Sequence, residues 1–319
     1  MIPKPRGTLS SALFPALTGD PEDLAWLPDV PSDGEEDAQI ALWTLYELHY
    51  RDVDGVDAAL EWHPDLLRLR HRLEQDLERR LRDRFPGHAH DGPFPEALLC
   101  YVDTHEGPAL ASFIHRDAEV GQVRDLLRHR SLYHLKEFDP TVWVVPRLTV
   151  PVKAALLELA FDEYGNGDPN RLHAHLFARG MTGIGLDSTP GAYVDDAPVE
   201  ILEQNNAMSL FGLHRRLRAA ALGHLAAFEA TSSSPSRSLA LGLRRLELDE
   251  SMIDYYTEHV TADAIHDQLA CRSICGALVA EDPTHAGEVF FGAFTCLDLE
   301  ARYAGHMLEQ WTSAKAATA

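Results

Sequence analysis

Helical periodicity is the feature that most constrains the fold, and it runs through most of the chain. Residues 36–50 and 64–85 place apolar side chains three and four positions apart, which is the spacing of one helix face. The same spacing predicts helices over about 121–138, 147–164, 169–179, 200–230, 236–246, 249–280 and 284–312. The best strand signal is short, at 142–145. The sequence therefore predicts an all-α fold.

Proline- and glycine-rich segments divide these helices. Residues 86–95 (PGHAHDGPFP) form a boundary. It separates a helical N-terminal extension, residues 1–95, from a main domain at 96–319. We expect the extension to pack on the core or to form a homodimer. At 165–169 (GNGDP) one helix should end, and Asp168 as N-cap with Pro169 in the first turn should start the next. At 231–235 (TSSSP) another should end.

Charge and cysteine content exclude several classes of partner. The 319 residues carry a formal net charge of −22, which repels phosphate backbones and anionic lipid. No apolar run approaches the roughly 18 residues that span a bilayer. The four cysteines form no disulfide framework; Cys271 and Cys275 are expected to pack as small hydrophobes, the alternative being a redox or metal pair. We therefore predict a cytoplasmic protein with no nucleic-acid or membrane partner.

The most informative segment is 259–266 (HVTADAIH). His259, Asp263 and His266 stand at i, i+4 and i+7, so they fall within about 60° of one another on a helix. One helix face thus presents two imidazoles and a carboxylate. A solvated polar face has the same spacing, but the apolar neighbours of these residues disfavour it.

Four further residues of metal-ligating type stand near predicted helix ends. Glu163 ends one helix and His173 lies early in the next, and the turn between them can fold His173 back toward Glu163. Glu229 and Glu137 each lie near the end of another helix. Taken singly, each acid is also compatible with a surface position or with pairing to an arginine. His173 could likewise belong to a His-Ala-His sequence that has no functional role.

Together these residues give four carboxylates and three imidazoles on several helices. Carboxylates bridge two metal ions and balance their charge, and imidazoles fix each iron inside a helix bundle. Ferritin-like proteins use two Glu-x-x-His repeats, which this sequence lacks. It has one Asp-x-x-His, Asp263–His266, preceded by His259.

In these motifs the sequence resembles the haem-oxygenase-like diiron oxidases, also described as iron-containing redox enzymes. The resemblance covers about 120–310 and rests on 163–169 with His173, on 209–217 (SLFGLHRRL) leading to Glu229, and on 259–266. It implies a haem-oxygenase-like helical bundle. The gap of ten between Glu163 and His173 is most similar to the N-oxygenating branch. The resemblance assigns seven ligands, which are also the predicted catalytic residues: Glu137, Glu163, His173, Glu229, His259, Asp263 and His266.

The resemblance also implies the chemistry. Two irons, cycling between Fe²⁺ and Fe³⁺, would bind O₂ as cosubstrate and form a peroxo-diferric oxidant. That oxidant would N-oxygenate the amine of a small amino acid or a related biosynthetic metabolite. An external electron donor, a reductase or ferredoxin, is the implied partner. Candidate anchors for a substrate carboxylate are Arg147, Lys153, Arg215 and Arg216, each equally compatible with a surface salt bridge.

Two alternatives remain open from sequence. The same diiron site could abstract hydrogen from carbon, leading to desaturation, C–C cleavage or decarboxylation of a small acid. A metal-free relative could instead bind haem or a metabolite, but haem ligation needs one proximal histidine rather than seven ligands.

Overall fold

A computed structural model shows an all-α protein, as predicted. The structure describes residues 1–20 and 24–318, without the side chains of 261–265 and 314–318. The α-helices are α1 (Thr8–Leu17), α2 (Glu35–Glu47), α3 (Pro64–Arg84), α4 (Phe94–Asp103), α5 (Leu110–Arg116), α6 (Val120–His134), α7 (Asp139–Val142), α8 (Val150–Glu163), α9 (His173–Gly183), α10 (Val199–Leu213), α11 (Arg218–Arg245), α12 (Glu250–Gln268), α13 (Ala277–Glu281) and α14 (Ala286–Thr318). A π-helix spans Leu269–Gly276, and 3₁₀ turns span Leu27–Asp29, Ala58–Trp62, Val145–Arg147, Gly165–Gly167, Val194–Asp196, Arg215–Leu217 and Pro283–His285.

Helix α3 shows how the sequence pattern sets the local structure. Pro64 occupies its first turn, and the His63 side chain accepts a hydrogen bond from the Asp65 backbone N–H at 3.3 Å. Its leucines recur every three or four residues and are buried as one stripe: Leu66, Leu69, Leu73, Leu77 and Leu81. The helix predicted over 64–85 is therefore confirmed.

The core forms around α11, which packs along α12 on one side and α14 on the other. Glycines allow the close crossing with α14. A Cβ on Gly223 would lie 2.0 Å from the Val289 carbonyl oxygen, and one on Gly292 would lie 1.9 Å from that of Ala220. Any larger residue would push these helices apart and would displace α11, which carries Glu229 six residues after Gly223.

Several predicted boundaries are wrong. Helix α11 does not end at 231–235 but continues through Pro235, because its buried face runs on to Ala240 and Leu243. The missing proline N–H removes one helical hydrogen bond, and packing compensates for it. Residues 142–145, the best strand signal, lie at the end of α7 and the start of a 3₁₀ turn. Helix α9 begins at His173 rather than 169, and the stretch over 249–280 is interrupted by the π-helix.

The N-terminal extension covers one side of the core, with α2 against α10 and α3. No packing observation fixes a domain boundary at residue 95, so that boundary stays a prediction. Cys271 and Cys275 are buried free thiols, as the small-hydrophobe interpretation predicted. Among the described residues we find no helix whose length and apolar character would let it cross a membrane.

Candidate metal centre

Six of the seven predicted ligands lie together in the core. Each is at most 6 % exposed, so the surface interpretation of the acids is wrong. The six are Glu137, Glu163, His173, Glu229, His259 and His266. The seventh, Asp263, lies outside the described side chains, and its role stays a prediction.

A glycine turn brings His173 onto Glu163. Glu163 is the last residue of α8, and Gly165 follows with φ +74°. A Cβ at Gly165 would lie 2.6 Å from the Leu172 backbone nitrogen, so only glycine permits this reversal. Helix α9 then begins at His173, whose Nδ1 lies 2.8 Å from Glu163 Oε2. The predicted fold-back is confirmed.

Glu137 does not lie on a helix, contrary to the predicted helix over 121–138. Helix α6 ends at His134, and Phe138 takes the left-handed conformation with φ +69°. For a residue with a Cβ, this conformation costs about 1–3 kcal/mol, and such strain clusters at functional sites. The turn points the Glu137 carboxylate inward, where Oε1 lies 3.0 Å from His134 Nδ1 and the Tyr255 hydroxyl donates to Oε2 at 2.9 Å.

Helices α11 and α12 close the cluster from the other side. His266 Nδ1 lies 3.4 Å from Glu229 Oε2 and 3.5 Å from Glu163 Oε1. His259 Nε2 lies 3.7 Å from Glu137 Oε1. The two histidines therefore face different carboxylates although they share one helix face, because they lie about two turns apart.

The donor atoms fall into two overlapping sets. Ligand atoms of Glu137, Glu163, His173 and His259 lie within 4.8 Å of one another, and so do those of Glu163, Glu229 and His266. Glu163 belongs to both. A carboxylate has two oxygens, so one shared glutamate can join two adjacent ions.

The outer nitrogens of two histidines have partners that orient the rings. His259 Nδ1 lies 2.8 Å from the Tyr255 carbonyl oxygen, and His266 Nε2 lies 3.3 Å from Asp162 Oδ2. Donation from these nitrogens leaves the opposite nitrogens to face the cluster, the usual arrangement of metal-ligating histidines. Sequence reasoning missed these supporting residues and His134. The adjacent Asp162–Glu163 pair and the spacing of Tyr255 one turn before His259 were the available signals.

Burial and mutual charge perturb the cluster strongly. Burial opposes ionisation of Glu137, but the His134 and His259 imidazoles hold its pKa well below its ordinary value. Burial, together with nearby Glu163, raises the pKa of Glu229. Burial disfavours protonation of His266, but Glu229 and Glu163 raise its pKa to about 9. The raised pKa values of Glu229 and His266 favour their protonated forms. Metal ions bound in the cluster could supply the same positive charge in place of these protons.

The donor set fits iron. Three buried carboxylates converge with three imidazoles, and among the described residues no arginine or lysine lies within ion-pair distance of these carboxylates. Mixed carboxylate and imidazole ligands are typical of non-haem iron.

Comparison with known proteins agrees with this geometry. The family model described as iron-containing redox enzyme matches residues 124–301, more than half of the chain and all six clustered residues. The chain belongs to the iron-containing redox enzyme family. This iron-containing redox enzyme is also 28% identical to nitrosourea synthase of Streptomyces achromogenes subsp. streptozoticus over 145 residues. That match covers 46% of this chain and 31% of the relative's length. The protein is an oxidoreductase.

Proposed function

We propose that this iron-containing redox enzyme is an O₂-dependent oxygenase with two irons, which N-oxygenates a small amine or amino acid. The observation that carries the proposal is the position of Glu163 in both ligand sets. A single-ion site would need only one set, whereas a shared carboxylate suits two ions that act together.

The ligand assignment follows the two sets. Glu137, His173 and His259 would hold one ion, and Glu229 and His266 the other. Glu163 would bridge them, and Asp263 is retained as a proposed further ligand.

When bound by these residues, two ferrous ions would supply the redox chemistry that activates O₂ for transfer of one oxygen atom to nitrogen. The first round converts R–NH₂, O₂, two electrons and two protons into R–NHOH and water. The electrons come from an external donor, for which we propose a reductase or ferredoxin.

The chain's own groups prepare this reaction in three ways. The Tyr255 carbonyl and Asp162 fix the orientation of His259 and His266. The Tyr255 hydroxyl holds one oxygen of Glu137. The near-complete burial of the carboxylates keeps bulk water from the reacting atoms.

The similarity to nitrosourea synthase supports chemistry at nitrogen, because a nitrosourea bears a nitroso group on nitrogen. The similarity covers under a third of that relative, so the substrate of this chain is argued separately below.

The test is a mass measurement of products from a panel of amines, with ferrous iron, a reductant and isotopically labelled O₂. N-oxygenation adds one or two labelled oxygen atoms to the amine. Loss of two hydrogens or of a carbon fragment would contradict it and favour hydrogen abstraction from carbon. E163Q should give no product. E158Q, which alters an exposed glutamate on the same helix, is the matched control and should retain activity.

A further inference from the structure

The six candidate ligands that lie together in the core are here called the metal cluster. A cavity of about 410 Å³ opens beside it, between α5, α6, α11 and α14. A recess of about 30 Å³, large enough for a water-sized group, adjoins it and shares Arg130, Phe228, Cys296 and Glu300 with it. The larger volume falls in the range of small-molecule sites, roughly 300–1,000 Å³.

One layer of side chains separates this cavity from the ligand carboxylates. His134 lines the cavity, and its Nδ1 lies 3.0 Å from Glu137 Oε1. Phe228 lines it as well and directly precedes Glu229. Tyr133 lines the recess and packs edge-on against Phe228, with ring centroids 5.5 Å apart. The cavity is therefore lined by direct neighbours of two candidate ligands, Glu137 and Glu229.

The fixed charges of the cavity cancel. Arg130 is the only arginine or lysine among the described residues that line either space, and Glu300 the only acid. Arg130 Nη1 donates to Glu300 Oε2 at 2.8 Å, and Nη2 donates to the other carboxylate oxygen. Gln204 Nε2 also donates to Oε2, at 3.1 Å. This bidentate pair leaves no unmatched cation to receive a ligand carboxylate.

Two features favour a ligand that donates hydrogen bonds, one in the recess at Asn205 and one in the cavity at Pro235. Asn205 is 3 % exposed, and its Oδ1 finds no donor among the described residues, whereas its Nδ2 donates to the Ile201 carbonyl. Pro235 has no N–H to give to the Thr231 carbonyl one turn earlier, and both residues line the cavity. Burial lowers the pKa of His129 and His224 to about 4, so both imidazoles are neutral near pH 7.

We propose that this cavity is the substrate chamber and that it selects an amine whose remainder is uncharged and donates hydrogen bonds, such as an amide, over a free amino acid. The oxidation of that amine rests on the proposed function, but its binding does not. The four residues named from sequence as carboxylate anchors line neither space. Arg147 instead donates to the Gly212 carbonyl, and Arg216 pairs with Glu78.

The test compares L-phenylalaninamide with L-phenylalanine by calorimetry, on the full-length protein with and without ferrous iron under anaerobic conditions. The two probes match in size and differ at the carboxylate. The amide should bind at least about tenfold more tightly, because the acid must bury an unpaired carboxylate. Equal or tighter binding of the acid, or no binding of either probe, would overturn the proposal.

Two variants sharpen the test. E300Q leaves the Arg130 guanidinium without its carboxylate partner, so the preference should shift toward the acid by about tenfold; an unchanged ratio would contradict the charge argument. Should that variant fold poorly, A301F fills the cavity and should weaken amide binding by at least about tenfold. A154F, on the exposed face of α8, is the matched control and should bind like the unmodified chain. Unweakened binding in A301F would contradict the location.

Because calorimetry reports binding without turnover, the two proposals fail separately. Selective amide binding without iron uptake would remove the proposed function and leave the chamber. Iron uptake without probe selectivity would remove the proposed chamber and leave the proposed function.

Discussion

Two clusters of carboxylates and imidazoles among the described residues differ in the groups that balance their charge. In the metal cluster, the described cationic partners of the carboxylates are imidazoles. In a second cluster, here called the N-terminal cluster, an arginine takes part as well. The N-terminal cluster consists of Tyr46, His49, Glu61, Arg70, Glu74 and His214.

Glu74 in the N-terminal cluster is fully partnered by protein groups. Arg70 Nε lies 3.0 Å from its Oε1, the Tyr46 hydroxyl donates to Oε1 at 3.0 Å, and His214 Nε2 lies 2.9 Å from Oε2. Burial opposes its ionisation, but these partners lower the pKa of Glu74. For Glu229 in the metal cluster, burial and Glu163 raise the pKa. The protein's own groups therefore stabilise the ionised form of Glu74. The ionised form of Glu229 is disfavoured unless further positive charge is supplied.

Histidine and glutamate side by side therefore do not identify a metal site. The deciding feature is whether arginine or lysine completes the charge. Glu47 makes the same point, because it is buried and pairs with Lys136, the residue next to Glu137. Glu47 therefore has a lysine as its partner, whereas Glu137, next to that lysine in sequence, has imidazoles.

The largest effect is expected at the shared residue. E163A should reduce the iron content from two ions per chain to nearly none, because the substitution removes a ligand from both sets. Anaerobic ferrous titration with iron analysis measures this. The control E158Q, which alters an exposed glutamate on the same helix, should keep both ions. Retention of two ions in E163A would contradict the assignment.

The second largest effect is a difference between the two clusters in the free energy of unfolding of their glutamine variants. E74Q should lower the free energy of unfolding by about 3–5 kcal/mol, since it breaks a buried, arginine-paired carboxylate. E229Q in the iron-free protein should change it by less than about 1 kcal/mol or raise it, because burial already disfavours the ionised carboxylate. Urea unfolding of both iron-free variants measures the difference. A larger loss in E229Q than in E74Q would break the comparison.

A third group of buried imidazoles, which line the recess, should make stability sensitive to acid. The pKa of His224 is about 4 in the folded chain, below its unfolded value, so the unfolded state binds the proton first. Stability is then lost as pH falls from about 6.5 to about 4, by up to roughly 3 kcal/mol for this residue. H224F should flatten the pH dependence of urea unfolding over that window. An unchanged slope would show that His224 is not neutral in the folded state.

The smallest effect is expected outside the ligand set. D162N should weaken ferrous binding by about 10–100-fold, because the His266 ring loses the carboxylate that orients it. Anaerobic titration measures the affinity. As a control, D168N alters an exposed acid in the turn after Glu163 and should leave the affinity unchanged. Unaltered affinity in D162N would show that the contact is incidental.

Much of this architecture could be predicted from sequence, because periodicity and turn chemistry are local. Leucine spacing predicted α3, and the glycines at 165 and 167 predicted the return of His173 to Glu163. The extent of α11 could not be predicted, because Pro235 is tolerated through the burial of the residues that follow it, such as Ala240 and Leu243, and that burial depends on the tertiary structure. The left-handed Phe138 that aims Glu137 carries no glycine or asparagine to signal it.

The partners of the buried charges were also beyond sequence reasoning. Arg130 and Glu300 are 170 positions apart, and their pairing appears only when α6 meets α14. The charge balance of the cavity therefore could not be predicted from the sequence, because it depends on which residues pair in the folded chain.

The central claim is that Glu163 joins two iron ions, and Mössbauer spectroscopy of the iron-loaded protein tests it most directly. After anaerobic loading with ferrous iron and exposure to O₂, we predict two ions per chain that couple magnetically as a diferric pair, with the coupling lost in E163A. A single uncoupled ferric ion per chain, or no bound iron, would contradict the account.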